Sequence, residues 1–206
     1  MDTTPIARPK QKRNREESKR RILKAALEIF SEVGYDAATT KMISLRAGLN
    51  ESLIQRYFQS KFNLLVEVTH SSMEAMRLKT PPPPAATPEE EICNFLINKL
   101  EHDSQNQGFL KILFSRLLID PEVRTELKKR QGGVPPNFFL IDRLAAFQKT
   151  GQIKRDIDIE SLVQSLLAQS ISVGLFERIF FEKDIETCKE QFRQFARNIT
   201  KGILQQ

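Results

Sequence analysis

Apolar residues recur at three- and four-residue steps along nearly the whole chain, the signature of helices with one buried face. Ile22, Leu23, Ala26, Leu27, Phe30 and Val33 form the first such stripe and predict a helix over about 16–33, closed by Gly34. Asn14, followed three residues on by Glu17, offers a capping box for its start. Met42, Ile43 and Ala47 predict a short second helix with Thr40 as its cap. Leu53, Ile54, Tyr57 and Phe58 predict a third over 51–58, capped by Asn50, and Leu64, Leu65, Val68, Met73 and Met76 a fourth over about 61–78, capped by Ser60. Later stripes place helices near 88–104, 107–119, 121–131, 136–150, 158–182 and 185–205. Thr87, Pro88 and Glu90 make a helix-start signature, and the Asp156–Asp158 region caps the helix near 158. The proline run Pro81–Pro84 cannot be helical and reads as a loop. No stretch alternates with period two between hairpin turns, so the expected fold class is all-α without a sheet.

The short second and third helices, with Gly48 between them, give the chain its organising stretch, Thr39–Lys61. Glycine takes the left-handed backbone that stops one helix and turns into the next, and helix, short turn, helix is a helix-turn-helix pattern. The three amino-terminal helices are too short to stand alone and must share a core of Leu27, Phe30, Tyr35, Ile43, Leu49, Ile54 and Phe58. The third helix keeps a polar face of Asn50, Glu51, Ser52, Gln55 and Arg56. Amide, carboxylate and guanidinium groups match the donors and acceptors of base edges in the major groove. Thr40, Lys41, Tyr57 and Lys61 suit phosphate oxygens.

Charge sharpens this reading. The net charge is +6, and residues 1–61 hold 13 Lys/Arg against 7 Asp/Glu, while the remainder holds 19 of each. The excess positive charge therefore lies on the segment with the helix-turn-helix, which favours a polyanionic partner there. Residues 1–15, polar and basic with Pro5 and Pro9, are expected to form a disordered arm that either solvates or touches the DNA backbone.

Gly34-Tyr35, Thr39-Thr40, Ile43, Ala47-Gly48-Leu49-Asn50, Ile54, Tyr57-Phe58 and Lys61 resemble the amino-terminal domain of TetR-type (tetracycline-repressor-like) transcriptional regulators. The resemblance covers about residues 18–70. Ser44 stands where that family usually has Ala, Asn50 where it usually has Ser, and Gln55 where it usually has Tyr. It implies a helix-turn-helix DNA-binding domain over 16–76, followed by a larger helical ligand-binding and dimerisation domain over 77–206. Helix four is then the natural lever between them.

Past the proline loop, the chain is rich in Phe (14 in all) and has no Trp. The apolar bulk there exceeds what a narrow helix contact needs, and the resemblance implies a pocket for a small apolar or aromatic effector. Phe95, Phe109, Leu113, Phe114, Leu117, Phe138, Phe139 and Gln169 are its candidate walls, with Gln105, Asn106 and Arg116 as further polar anchors. The plain alternative is a solid core. The last two long helices carry stripes that include Leu162, Leu166 and Ile171, and Phe192, Phe195 and Ile199. Such helices can complete a monomer core or pair with their copies across a two-fold axis. The resemblance implies the latter, a homodimer reading a palindromic operator in double-stranded DNA.

Cys93 and Cys188 match no metal or redox spacing and read as packing residues of a cytoplasmic protein. His70 and His102 lie in unrelated helices, and Glu89–Glu91 reads as an exposed acidic helix start. No P-loop, dinucleotide fingerprint, nucleophile elbow or zinc-protease motif is present, so no enzyme, cofactor or metal site is expected. No apolar window long enough to span a membrane is expected, nor a secretion signal. The sequence thus points to a ligand-responsive transcriptional regulator, most often a repressor in that family. Two rivals are a small-molecule sensor without operator specificity and a charge-driven non-specific DNA binder.

Overall fold

A computed structural model describes residues 10–77, 82–131 and 138–204. The helices are α1 (Lys10–Ala37), α2 (Thr40–Ala47), α3 (Ser52–Phe58), α4 (Lys61–Arg77), α5 (Pro88–Gln105), α6 (Gln107–Ile119), α7 (Pro121–Gln131), α8 (Phe138–Lys149), α9 (Ile159–Ile171) and α10 (Ile185–Ile203). A π-helical segment, Ser172–Phe180, continues α9. Among the described residues the sole β feature is an isolated antiparallel bridge, Ile153 to Leu204.

The helix starts follow local chemistry. Thr87, in extended backbone, accepts from the Glu90 N–H at 3.2 Å, with Pro88 in the first helical position. Asp158 accepts from Glu160 and Ser161 N–H groups, and Asp184 does the same for α10 through Thr187. The α2 cap is Thr39 rather than Thr40. Thr39 has the extended backbone (φ −114°) that capping requires and accepts from Met42 N–H at 3.1 Å. Nor does Asn14 open α1, which already runs from Lys10; Asn14 lies inside the helix, its carbonyl accepting from the Ser18 hydroxyl at 2.8 Å. Residues 1–9 of the basic arm lie outside the described residues, and residues 10–15 are helical. Gly34 breaks the helical backbone at φ 80°, and Gly48 closes α2 at φ 62°.

The chain forms two compact units. The first combines residues 1–78 with 111–131, the second residues 79–110 with 132–206. The first is therefore larger than the expected 16–76, because α7 and most of α6 group with the helix-turn-helix. Its core joins Ile22, Phe30, Ile43, Ile54, Phe58, Leu64 and Leu65, with Val123 and Leu127 of α7 also buried. Leu27, Tyr35 and Leu49 are only half-buried.

The second unit has one large apolar core drawn from α5, α8, α9, the π-helical segment and α10, centred on Ile92, Leu96, Leu144, Leu166 and Phe192. Glu91 departs from the expected exposed acidic start. It is 2% exposed, accepts from the Ala85 N–H at 2.8 Å and pairs with Arg143 at 2.8 Å. Arg143 also donates to the Pro82 carbonyl at 2.6 Å, so one buried ion pair fixes the loop before α5. Contrary to the expectation from sequence, the stretch Ile159–Phe180 is long and apolar enough to cross a membrane, with a mean hydropathy of 1.3. Its apolar side is spent on this core through Leu162, Val163, Leu166 and Val173, as in the core helix of a globular domain.

Candidate nucleic-acid interface

The helix-turn-helix is assembled by ties between residues distant in sequence. Arg21 of α1 donates to the carbonyls of Ala47 and Gly48 at 2.6 and 3.2 Å, satisfying the unpaired end of α2. Arg46 of α2 forks onto both oxygens of Glu32 at 2.7 and 2.8 Å and reaches Glu28 at 3.3 Å. These bonds hold the Glu32 carboxyl below its usual pKa and raise that of Arg46. Arg116 of α6, 11% exposed, forks onto Asp36 at 3.2 and 2.9 Å and lies 5.1 Å from the Tyr35 ring centre. Tyr35 packs on Phe30 at 5.4 Å between centres, and burial raises its pKa. None of these hydrogen bonds has a local sequence signal, since their partners lie from 14 to 80 residues away.

On this frame α3 presents Asn50, Glu51, Ser52, Gln55 and Arg56 together on an exposed surface, with Lys41 of α2 also exposed. The cap position of α3 is Glu51 rather than Asn50, and it makes no side-chain cap bond; Asn50, one residue earlier, accepts from the Ser52 N–H with its side-chain oxygen at 2.9 Å. That oxygen is thereby engaged, while the amide NH2 group retains its donors. Arg56 folds over Tyr57, 4.9 Å from the ring centre, and donates to its hydroxyl at 2.8 Å. The Tyr57 oxygen therefore accepts from Arg56 and keeps its own hydrogen to donate. Arg15 of α1 lies over the same ring at 5.6 Å and joins this cationic cluster. The half-buried Thr40 hydroxyl donates to the Glu51 carboxylate at 2.5 Å.

Lys61 corrects the sequence reading. Its ammonium donates to the carbonyls of Tyr35, Asp36 and Ala38 at 3.0, 3.3 and 2.9 Å and sits 4.5 Å from the Tyr35 ring centre. An ammonium has three hydrogens. All three are committed to the corner between α1 and α2, which leaves none for a phosphate in this arrangement.

Residues 22–68 match the family of bacterial regulatory proteins described as the tetR family. This amino-terminal segment carries the TetR-type DNA-binding domain. It holds α2, α3 and their exposed face. The HTH-type transcriptional repressor KstR of Mycolicibacterium smegmatis is 32% identical over 105 residues, half of this chain and 51% of that protein, so the match spans about half of that relative. The HTH-type transcriptional regulator UidR of Escherichia coli is 25% identical over 185 residues, covering 89% of this chain and 91% of UidR. Among solved structures, Salmonella enterica GusR shares the fold with a TM-score of 0.68 at 20% identity, covering 98% of this chain and 99% of that one. TetR relatives are transcription regulators rather than enzymes, and the amino-terminal helices here form the DNA-binding domain of the family.

The remaining candidate residues divide unevenly. Phe95, Phe109, Phe139 and Gln169 belong to the second unit and Leu113, Phe114 and Leu117 to the first. Phe95 and Phe139 pack on each other at 6.1 Å between centres, within the core. The side chain of Phe138 lies outside the described residues. Among the candidate anchors, Arg116 is taken by Asp36, and the Asn106 amide donates to the His102 carbonyl at 2.7 Å.

Three of the six candidate dimer residues are also corrected. Leu162, Leu166 and Phe192 are buried within their own unit and have no surface left for a partner. Phe195 and Ile199 are half-buried, and Ile171 is exposed. Sequence reasoning passed over Phe176 and Phe180, whose rings meet edge-on at 5.7 Å and are 49% and 42% exposed. Among the described residues, no cluster of three or more His, Cys, Asp or Glu side chains could hold a metal ion. Both cysteines are free, and burial pushes both thiols up in pKa, away from the reactive thiolate.

Proposed function

We propose that this protein is a dimeric regulator that reads a palindromic operator with α3 and leaves it when a small apolar or aromatic effector binds. The observation that carries the reading is the exposed, polar α3 face, set on a folded frame and ringed by Lys41, Arg56 and Arg15. Asn50, Glu51, Ser52, Gln55 and Arg56 face the bases, and Lys41, Tyr57 and the half-buried Thr40 stand toward the backbone. KstR is named a repressor, and repression is the sense proposed here. Cytoplasmic location follows from that role.

For the dimer we propose the exposed side of α9 and its continuation, where Ser161, Ser165, Ala168, Ile171, Ser172 and Phe176 lie clear of the core. Small residues let a second helix approach closely, and Ile171 with Phe176 supplies apolar area. An effector releases DNA by a population shift: it must bind the DNA-incompetent arrangement more tightly than the competent one.

The test is fluorescence anisotropy with a duplex from upstream of the protein's own gene and a scrambled duplex, at two salt concentrations. Saturable binding that survives salt on the upstream duplex alone supports the regulator. A protein selecting no site from random DNA, with equal and salt-sensitive binding to every duplex, is a charge-driven binder and overturns it.

A further inference from the structure

Glu51 is the single acidic residue in Thr39–Lys61, against Lys41, Arg46, Arg56 and Lys61. It stands exposed immediately before α3, in the surface proposed to meet a polyanion. A carboxylate there is repelled by every phosphate it approaches, whatever the sequence. Its position is nevertheless fixed, because the Thr40 hydroxyl donates to one of its oxygens. The bond also bears on Thr40. A hydroxyl has one hydrogen, so while it serves Glu51 it cannot also serve a phosphate.

We infer that Glu51, oriented by Thr40, is a specificity-determining residue that selects cytosine at one position of each operator half-site and weakens binding to all other DNA. The inference rests on the regulator reading above. The chemistry that singles out cytosine is the major-groove pattern. A carboxylate accepts only, and guanine offers acceptors at N7 and O6 and thymine an acceptor at O4. Adenine offers its N6 amino group, but beside the N7 acceptor, which opposes a second carboxylate oxygen. Cytosine presents its N4 amino donor without an acceptor of its own in that groove. With one oxygen held by Thr40, the other is available for that donor. On duplexes lacking the cytosine, the charge meets phosphates and acceptors, or at best the adenine amino group beside its N7 acceptor. Glu51 therefore acts by rejection as much as by attraction.

The experiment selects duplexes from a random pool with the full-length wild-type protein, Glu51→Gln and Thr40→Val. Affinities are then measured on the wild-type consensus, on a duplex with the cytosine pair replaced, and on a scrambled duplex. Glutamine keeps the size of Glu51 and removes its charge at an exposed site, so folding is not at stake. Wild type is expected to enrich a C·G pair once per half-site and to lose roughly 5- to 100-fold in affinity when it is replaced. Glu51→Gln is expected to lose that preference, or turn it toward adenine, and to bind scrambled DNA several-fold more tightly than wild type. Thr40→Val is expected to discriminate less than wild type. If Glu51→Gln enriches the same site and binds scrambled DNA as wild type does, the inference is overturned while the regulator reading stands. If wild type enriches no sequence, both fall. If Thr40→Val discriminates as wild type does, the positioning role of Thr40 is overturned.

Discussion

The first unit ties short helices together with long basic side chains, while the second packs long helices around a continuous apolar core. In the first, α2 and α3 have 8 and 7 residues, too few to hold their places by burial alone. Arg21, Arg46, Lys61 and Arg116 satisfy helix ends and carboxylates there instead. In the second, α5 and α10 run 18 and 19 residues, and most of the fixing is done by buried Leu, Ile and Phe. Basic residues near a helix-turn-helix are thus not all DNA contacts. Of Lys41, Arg46, Arg56 and Lys61, two are spent on the frame. Counting charges along the sequence overstates the phosphate contacts, and so the salt dependence expected from them.

Among the described residues, the second unit's most deeply buried ion pair, Glu91 with Arg143, should give the largest effect. Glu91→Ala leaves Arg143 buried without its partner and exposes the Ala85 N–H to loss of its acceptor. It should cost about 3–5 kcal/mol in denaturant unfolding. A loss below about 1 kcal/mol would remove this pair from the account. Next comes Lys61→Met, which leaves the corner carbonyls without a donor and should cost about 2 kcal/mol. The salt slope of DNA binding by the folded protein should not change. Lys41→Ala, by contrast, should leave stability intact and flatten the slope by about one. A flattened slope in Lys61→Met would return that residue to the phosphate contacts and blur the contrast between frame and interface.

Gly48→Ala should be milder, about 1–2 kcal/mol. The site has φ 62°, and a Cβ there would stand 2.9 Å from the Arg21 guanidinium, which can shift. Thermal melting of Gly48→Ala alone and combined with Arg21→Ala would show whether the two effects share a cause. The smallest effect concerns the surface fork between Arg46 and Glu32. The folded pKa of Glu32 is depressed below 4.5 by the Arg46 hydrogen bonds. Its contribution is therefore present above the unfolded value and fades as pH falls through the lower folded one. Wild type and Glu32→Gln should converge in stability once the pH has fallen below the depressed folded value. A difference that persists there would mean the fork acts by packing rather than by charge.

How much of this was legible beforehand differs by element. Helices α5, α6 and α7 fall within a residue of their expected bounds, because proline, glycine and capping residues punctuate a clear helical period. The start of α1 was not legible, since Lys10–Arg15 contains good helix formers but no apolar stripe to mark them. Thr39 and Thr40 are chemically equal as caps, and only the extended backbone at Thr39 decides between them. Leu162, Leu166 and Phe192 show the same limit on a larger scale. Their period says that they are buried, not whether their own chain or a second copy buries them.

By itself, then, the sequence determined the all-helical class, the helix-turn-helix, its polar α3 face and the TetR-type resemblance of the amino-terminal domain. These are local properties, written at steps of three and four residues. Tertiary structure alone decided which polar groups remain for a partner. Lys61 reaches back to Ala38, Arg116 to Asp36 and Arg143 to Glu91, over separations of 23, 80 and 52 residues. A charged side chain bonds whatever the fold brings within about 3 Å, and no local pattern carries that distance.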